Sequence, residues 1–173
     1  MHLHIFGSSG SGVTTLGKAL AIQLQMPYFD ADDYYWEKTD PPFQIRADAI
    51  TRNNRLVADL NKTPDWILGG SLDSWADFLK HEFDAVIYLW IPKTVREARL
   101  INREKERYGE TLSQQSMDFI DWALAYDDSN RSGRNRQRHE QWMQTLSSPL
   151  LRIEEDMEVE EKVTMINEWM KSI

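Results

Sequence analysis

Cysteine is absent from this 173-residue chain, which excludes disulfides, thiolate zinc sites and cysteine nucleophiles and suits a cytoplasmic protein. No apolar run reaches the length of a membrane span, and no basic segment precedes an apolar one at the N-terminus as a secretory signal requires. Excess positive charge is missing too. With 20 Lys+Arg against 28 Asp+Glu, the formal net charge of −8 argues against broad nucleic-acid binding. Much of that acidity lies in Glu154-Glu155-Asp156-Met157-Glu158 and Glu160-Glu161, which read as a solvated helix cap, since acids in a first turn complement the dipole. There are no repeats or low-complexity segments. The length suits one well-cored domain, 1–173, and is short for two. Seven tryptophans are many for this length, but they are scattered and read mostly as core or pocket wall.

The most telling absence is a single lysine. Gly7-Ser8-Ser9-Gly10-Ser11-Gly12-Val13-Thr14-Thr15 follows the apolar run Leu3-His4-Ile5-Phe6 and matches the phosphate-binding pattern G-x-x-x-x-G-K-[ST], except that Val13 stands at the lysine. Glycines let such a loop turn its N–H groups inward around an anion. The helix after it aims its positive end at the same place. Thr14 is expected to offer its hydroxyl to a Mg²⁺ bridging the phosphates. Leu16, Ala19, Leu20, Ile22 and Leu24 form the apolar stripe of that helix, so strand, loop and helix come in the order the chemistry requires. The charge that lysine would bring to the β/γ-phosphates has to come from elsewhere.

Strands and helices then alternate. Tyr28-Phe29 reads as a short strand ending in Asp30, and a loop containing Pro41-Pro42 leads into a helix over about 44–62. Trp66-Ile67-Leu68 is a third strand, closed by Gly69-Gly70. The unbroken apolar run from Ala85 to Ile91 suits a central parallel strand covered on both faces. Thr94 with Glu97 predicts a capping box opening the next helix. Further helices are expected near 116–126 and 134–146, then a strand at Leu150–Ile153. A closing helix carries Val159, Val163, Ile166 and Met170 on its buried stripe. The order predicts an α/β fold, a doubly wound parallel sheet flanked by helices. Ligands bind beyond the carboxyl ends of such strands, which gathers Gly7–Thr15, Asp30–Asp33 and Gly69–Ser71 around one cleft.

Two side-chain clusters fill out that cleft. Extended alternation puts Asp30 and Asp32 on one side, where the pair can hold Mg²⁺, orient a hydroxyl or accept its proton; Asp33 either joins them or caps the turn of Tyr34-Tyr35-Trp36. Arg96, Arg99, Arg103 and Arg107 share one helical face. Arg131, Arg134, Arg136, Arg138 and His139 form a second basic cluster. The two flank a segment, about 104–138, that reads as a lid closing over phosphates, since planar guanidinium forks bind phosphate oxygens in pairs. Lys18 is turned about 140° around the helix from position 13, so Arg103 with Arg134 or Arg138 is expected to replace the missing lysine.

In this order of features the chain resembles the nucleoside monophosphate kinase and shikimate kinase group of P-loop kinases, over nearly its whole length. It is most similar to an adenylate-kinase-related family whose loop also lacks the lysine. The loop resembles that of phosphoribulokinases, where threonine takes the lysine position. The resemblance implies ATP and Mg²⁺ as donor and cofactor, and a small-molecule or nucleotide acceptor, without nucleic acid or membrane. It implies Arg99 against adenine, Arg103 on phosphates, Asp30 and Asp32 on metal and acceptor hydroxyl, and Gly69 and Gly70 beside the acceptor. Adenylate kinases carry Asp where Gly69 stands and a Thr-Gly-Asp segment near Asp30. Both are missing here, which points from AMP toward another hydroxyl compound. The expected activity is phosphotransfer; a nucleotide-binding module that has lost catalysis, and a slow ATPase, are the alternatives.

Overall fold

A computed structural model describes residues 1–40 and 42–173. Five parallel strands, β1 (His2–Gly7), β2 (Tyr28–Asp30), β3 (Trp66–Gly69), β4 (Ala85–Leu89) and β5 (Leu150–Ile153), lie in the order β2-β3-β1-β4-β5. The order reverses at β1, so the crevice opens where the phosphate-binding sequence begins. Alternate residues of β1 feed two cores. His4 and Phe6 face one side with Tyr88, Trp142 and Phe83, while Leu3 and Ile5 face the other with Leu16, Leu20, Ile87 and Ile166. Each fully buried large apolar side chain contributes roughly 1.5–3 kcal/mol.

Helix α1 (Val13–Leu24) follows β1, and the short α2 (Asp32–Tyr35) follows β2. The remaining helices are α3 (Ala49–Leu60), α4 (Lys93–Tyr108), α5 (Gln114–Leu124), α6 (Arg136–Met143) and α7 (Val159–Met170). A small third core of Leu100, Ile120, Ala123 and Leu124 joins α4 to α5. No helix among the described residues is long and apolar enough to cross a membrane.

Several boundaries differ from the sequence expectations, each for a local reason. The helix expected from 44 starts at Ala49, because the Asp48 carboxylate accepts the Thr51 N–H at 2.9 Å and fixes the start there. The residues before it pair back on α2, with a Trp36–Arg46 antiparallel bridge; Pro41, within the expected loop, lies outside the described residues. Thr94 and Glu97 form no capping box, since α4 already begins at Lys93, directly after Pro92. The strand expected through Ile91 ends at Leu89. The helix expected at 116–126 runs from Gln114 to Leu124 and tightens into a 3-10 turn at Ala125–Asp127. The one expected at 134–146 begins after Asn135, whose side chain caps it through Arg138 N–H at 2.8 Å. In the closing helix the acids do cap: Glu158 and Glu161 form a capping box.

Candidate functional site

The loop between β1 and α1 is built as an anion nest. Gly10 and Gly12 have φ of +84° and +95°, left-handed values that an L side chain resists. Gly12 is the N-cap of α1, which has neither a side-chain cap nor an acid in its first turn. Among the described residues, no acceptor meets the N–H groups of Gly10, Gly12, Val13, Thr14 or Thr15. Ser11 closes the loop, donating its N–H and Oγ to the Ser8 carbonyl at 3.1 and 2.8 Å. The Ser8 hydroxyl is buried without a partner. Gly7 passes against the Leu89 carbonyl, and Gly10 packs on the backbone of Arg96 in α4. Val13 is half-buried against the core that Leu16 and Leu20 enter.

The acids meet the loop directly. Asp30 Oδ2 accepts the Thr14 hydroxyl at 3.1 Å and the Tyr28 hydroxyl at 3.2 Å, while its Oδ1 accepts the Asp32 N–H at 3.1 Å. Tyr28 reaches Asp30 through a slot at Gly17 and Gly69, where a Cβ would stand 2.2 and 2.1 Å from its side chain. Gly69 is therefore filled by Tyr28, and Gly70 lies against the Ala31 methyl. The expected extended alternation of Asp30 and Asp32 is corrected by the structure: Ala31 is helical, with φ −57° and ψ −31°, and Asp32 opens α2. The two acids are joined by a side-chain-to-backbone hydrogen bond instead. Asp32 is open to solvent on the cleft side but otherwise crowded by protein. That desolvation raises its pKa; Asp30 and Asp33 raise it further, while Arg134 and Arg103 oppose. Partial desolvation and Asp30 also raise the exposed Asp33.

The arginines divide by their partners. Arg134, 125 residues along the chain from Ser9, donates to the Ser9 hydroxyl at 2.9 Å, and its other nitrogen lies 3.4 Å from the Ser71 hydroxyl. Arg138 instead pairs with the buried carboxylate of Asp73 at 2.5 Å. Of the two alternatives weighed for the lysine's place, only Arg134 is brought to the loop. Arg103 lies over the Phe119 ring at 5.3 Å and close enough to act electrostatically on Asp32. Arg99 pairs with Asp156 at 2.7 Å while one of its nitrogens flanks Gly12. Arg96 is fully buried on Asp127, and Arg107 lies over Phe43 at 5.9 Å. The shared helical face of these four therefore serves separate tasks.

Sequence reasoning missed a buried chain behind Arg134. Ser71 Oγ contacts His139 Nε2 at 3.0 Å, His139 Nδ1 contacts the Tyr126 hydroxyl at 2.7 Å, and that hydroxyl meets Tyr88's at 2.9 Å. Burial, with Arg134, His4 and Arg138 nearby, pushes His139 far below the ordinary histidine range. Its neighbours come from four different elements, so only its place in the basic cluster was visible. Also missed was Arg52, whose guanidinium lies 4.6 Å over Tyr35 and 5.0 Å over Trp75, with its Nε buried and unpartnered. A cavity of about 530 Å³ lined by His2, Leu60, Lys62, Trp66, Phe78 and Glu82 opens at the opposite ends of the strands.

The uncharacterized protein YqaC of Bacillus subtilis (strain 168) is 40% identical over 177 residues, covering 99% of this chain and 98% of YqaC. The chain belongs to the YqaC family. No family model matches it. Solved structures place this YqaC-family chain in the P-loop, nucleoside-monophosphate-kinase-like fold. A shikimate kinase from Bacteroides thetaiotaomicron superposes with a TM-score of 0.59 at 20% identity, covering 99% of this chain and 98% of that one. A shikimate kinase from Acinetobacter baumannii in complex with shikimate gives 0.58 at 19%, covering 99% and 93%. A deoxyadenosine kinase from M. mycoides with bound dATP gives 0.57 at 14%, covering 99% of each.

Proposed function

We propose that this chain is an ATP- and Mg²⁺-dependent phosphotransferase that phosphorylates a small hydroxyl compound. The carrying observation is Arg134, held on Ser9 of a phosphate loop that has lost its lysine. The free N–H groups of Gly10, Gly12, Val13, Thr14 and Thr15 and the terminus of α1 bind the donor phosphates, with Arg99 beside the base. Arg103 and Arg134 supply the charge that Val13 cannot, the latter on the lid formed by residues 104–138 and the former just before it. The resemblance to phosphoribulokinases, whose loop also lacks lysine, supports an active rather than a degenerate loop. Thr14 and Asp30, which already share a hydrogen bond, would hold Mg²⁺, and the ion would supply charge neutralisation at the phosphates.

In the reaction the bond from the γ-phosphorus to the β–γ bridging oxygen breaks and a bond to the acceptor oxygen forms. The acceptor's proton passes to Asp32, whose pKa, raised by desolvation, makes it a stronger base than an ordinary carboxylate. On the acceptor side, Arg52 between Tyr35 and Trp75 has no carboxylate partner, which supports an acceptor that carries an anionic group as well as its hydroxyl.

Calorimetry with Mg-ATP and single-turnover transfer from labelled ATP, against a panel of hydroxy acids and sugar phosphates, test this. Saturable binding with transfer to one panel member is the expected result, with Arg134→Ala lowering the rate on the order of 10²-fold. Binding with release of inorganic phosphate alone would make it a slow ATPase, and binding without turnover a nucleotide-sensing module. No binding at millimolar Mg-ATP removes the proposal altogether.

A further inference from the structure

Helix α5 presents two aromatic rings one turn apart, Phe119 and Trp122, stacked at 6.0 Å with 26° between their planes. Arg103 lies over the first ring, while Arg131 and Arg134 both lie over the second, at 4.8 and 4.9 Å from its centre. Two guanidinium groups on one indole repel each other, and Arg134 disfavours the charge on Arg131. Neither forms an ion pair among the described residues. Arg131 is tied to α5 by donating to the Trp122 carbonyl, while Arg134 reaches Ser9 across a narrow gap lined by Ser9, Trp122, Ala123, Tyr126 and Arg134 itself. Trp122 is 40% exposed and lies outside the three cores. Its indole is therefore not there chiefly to stabilise the fold.

We propose that Trp122 is a positioning residue: its ring is the platform that holds the Arg134 guanidinium at Ser9, giving a mobile side chain from a distant segment the fixed placement that a loop lysine has by covalent attachment. The part of this inference that concerns phosphate affinity rests on the proposed nucleotide binding; the platform itself does not. An arginine has many rotamers to lose on binding an anion, and a ring face that selects one of them in advance lowers that cost. The repulsion between Arg131 and Arg134 is relieved when an anion settles beside Ser9, so the platform also stores a preference for the occupied state.

Two measurements test the proposal separately. In the free protein, ring current from the indole should shift the Arg134 side-chain Nε–H resonance upfield, and Trp122→Leu should abolish that shift while Trp122→Phe keeps part of it. An Arg134 resonance indifferent to Trp122→Leu overturns the proposal whether or not the protein binds nucleotide. The second measurement is calorimetry with Mg-ATP and with tripolyphosphate. Trp122→Leu should weaken both by about 3- to 30-fold, the range of a partly desolvated cation–π contact, and Trp122→Phe by less. In an Arg134→Ala background Trp122→Leu should cost nothing further. An equal loss in both backgrounds means that Trp122 merely shapes the lid, and overturns the positioning role. Should wild type bind neither probe while the ring-current shift is present, the platform stands and the kinase reading falls.

Discussion

Two buried histidines should make this protein lose stability steeply as pH falls below 7, before most carboxylates titrate. His4 is wholly buried between Phe6 and Phe83, with ring centroids 5.3 and 4.7 Å away, and Nδ1 donates to the Leu68 carbonyl at 2.9 Å. Burial lowers its pKa to about 3. His139, also fully buried, is held well below its ordinary value by desolvation, then by Arg134, His4 and Arg138; Asp73, 3.8 Å away, is the one carboxylate near it. Both folded pKa values are depressed, so between about pH 6.5 and those values the unfolded chain binds protons that the folded chain refuses. Stability therefore falls as pH drops through that window, by up to about 1.4 kcal/mol per pH unit for each histidine. For His4 this integrates to about 2 kcal/mol from pH 7 to 5, a sizeable part of an ordinary domain's stability, and His139 adds to the loss in the same direction. Asp32 and Asp33 work in the opposite sense, since their raised pKa values add stability on acidification, so the histidine share is read by difference. Urea unfolding followed by tryptophan fluorescence, at steps from pH 7 to 5, should give a slope for His4→Phe and His139→Asn that is each shallower than wild type by one histidine's worth. The variants' own stabilities at pH 7 do not matter to that comparison. Equal slopes in wild type and both variants would refute the reasoning.

Two further predictions concern charge. Asp32→Asn should raise stability at pH 7, because desolvation penalises the charged form of this carboxyl in the folded state; the gain should vanish below pH 4, where the acid is protonated in both states, and phosphotransfer should be lost in the same variant. Asp127 takes the hydrogen bonds of buried Arg96 Nη2 and of Trp90 Nε1, and among the described residues Arg96 Nε and Nη1 have no hydrogen-bond partner. Asp127→Ala should therefore cost about 3–5 kcal/mol in urea unfolding, and adding Arg96→Met should recover much of it, since a buried pair is expensive mainly when half of it is removed.

What the sequence disclosed and what it withheld have a common physical cause. The five strands, the phosphate loop and the Thr14–Asp30 neighbourhood were legible because each is written in contiguous residues: apolar runs, glycine spacing, or a strand ending in an acid. The parallel, doubly wound arrangement follows from alternation and right-handed crossovers, whereas the strand order β2-β3-β1-β4-β5 is set by packing that the sequence reading did not reach. The error at Asp30–Asp32 came from extending strand geometry one residue too far, where the Asp30 side chain turns the backbone into α2. Arg138 was a reasonable rival to Arg134 because nothing local reveals Asp73, an acid 65 residues earlier, as its partner. Ser71, His139, Tyr126 and Arg52 share that difficulty. Their neighbours are set by packing between elements, and no period or motif encodes it.

Ion pairing divides the arginines into two groups, although Arg99 on Asp156 and Arg103 beside Glu104 at 3.8 Å are paired and also carry proposed ligand roles. With 28 acids against 20 bases, an arginine with no carboxylate within reach is not short of candidates. Arg96 takes Asp127, Arg99 takes Asp156, Arg136 takes Glu154, Arg138 takes Asp73 and Arg152 takes Glu140. Two acids of the run expected to be a solvated cap, Glu154 and Asp156, are thus engaged by arginines. Arg46, Arg52, Arg55, Arg131 and Arg134 have none of these pairs; they sit over Tyr35, Trp75, Tyr34 and Trp122 instead. An aromatic face fixes a guanidinium without neutralising it, which leaves its charge available to an incoming anion. Those five lie on the α2–α3 and α5–α6 sides of the crevice that opens at the phosphate loop. On the proposed reading, the positive charge that Val13 cannot supply comes from side chains whose placement depends on tertiary packing.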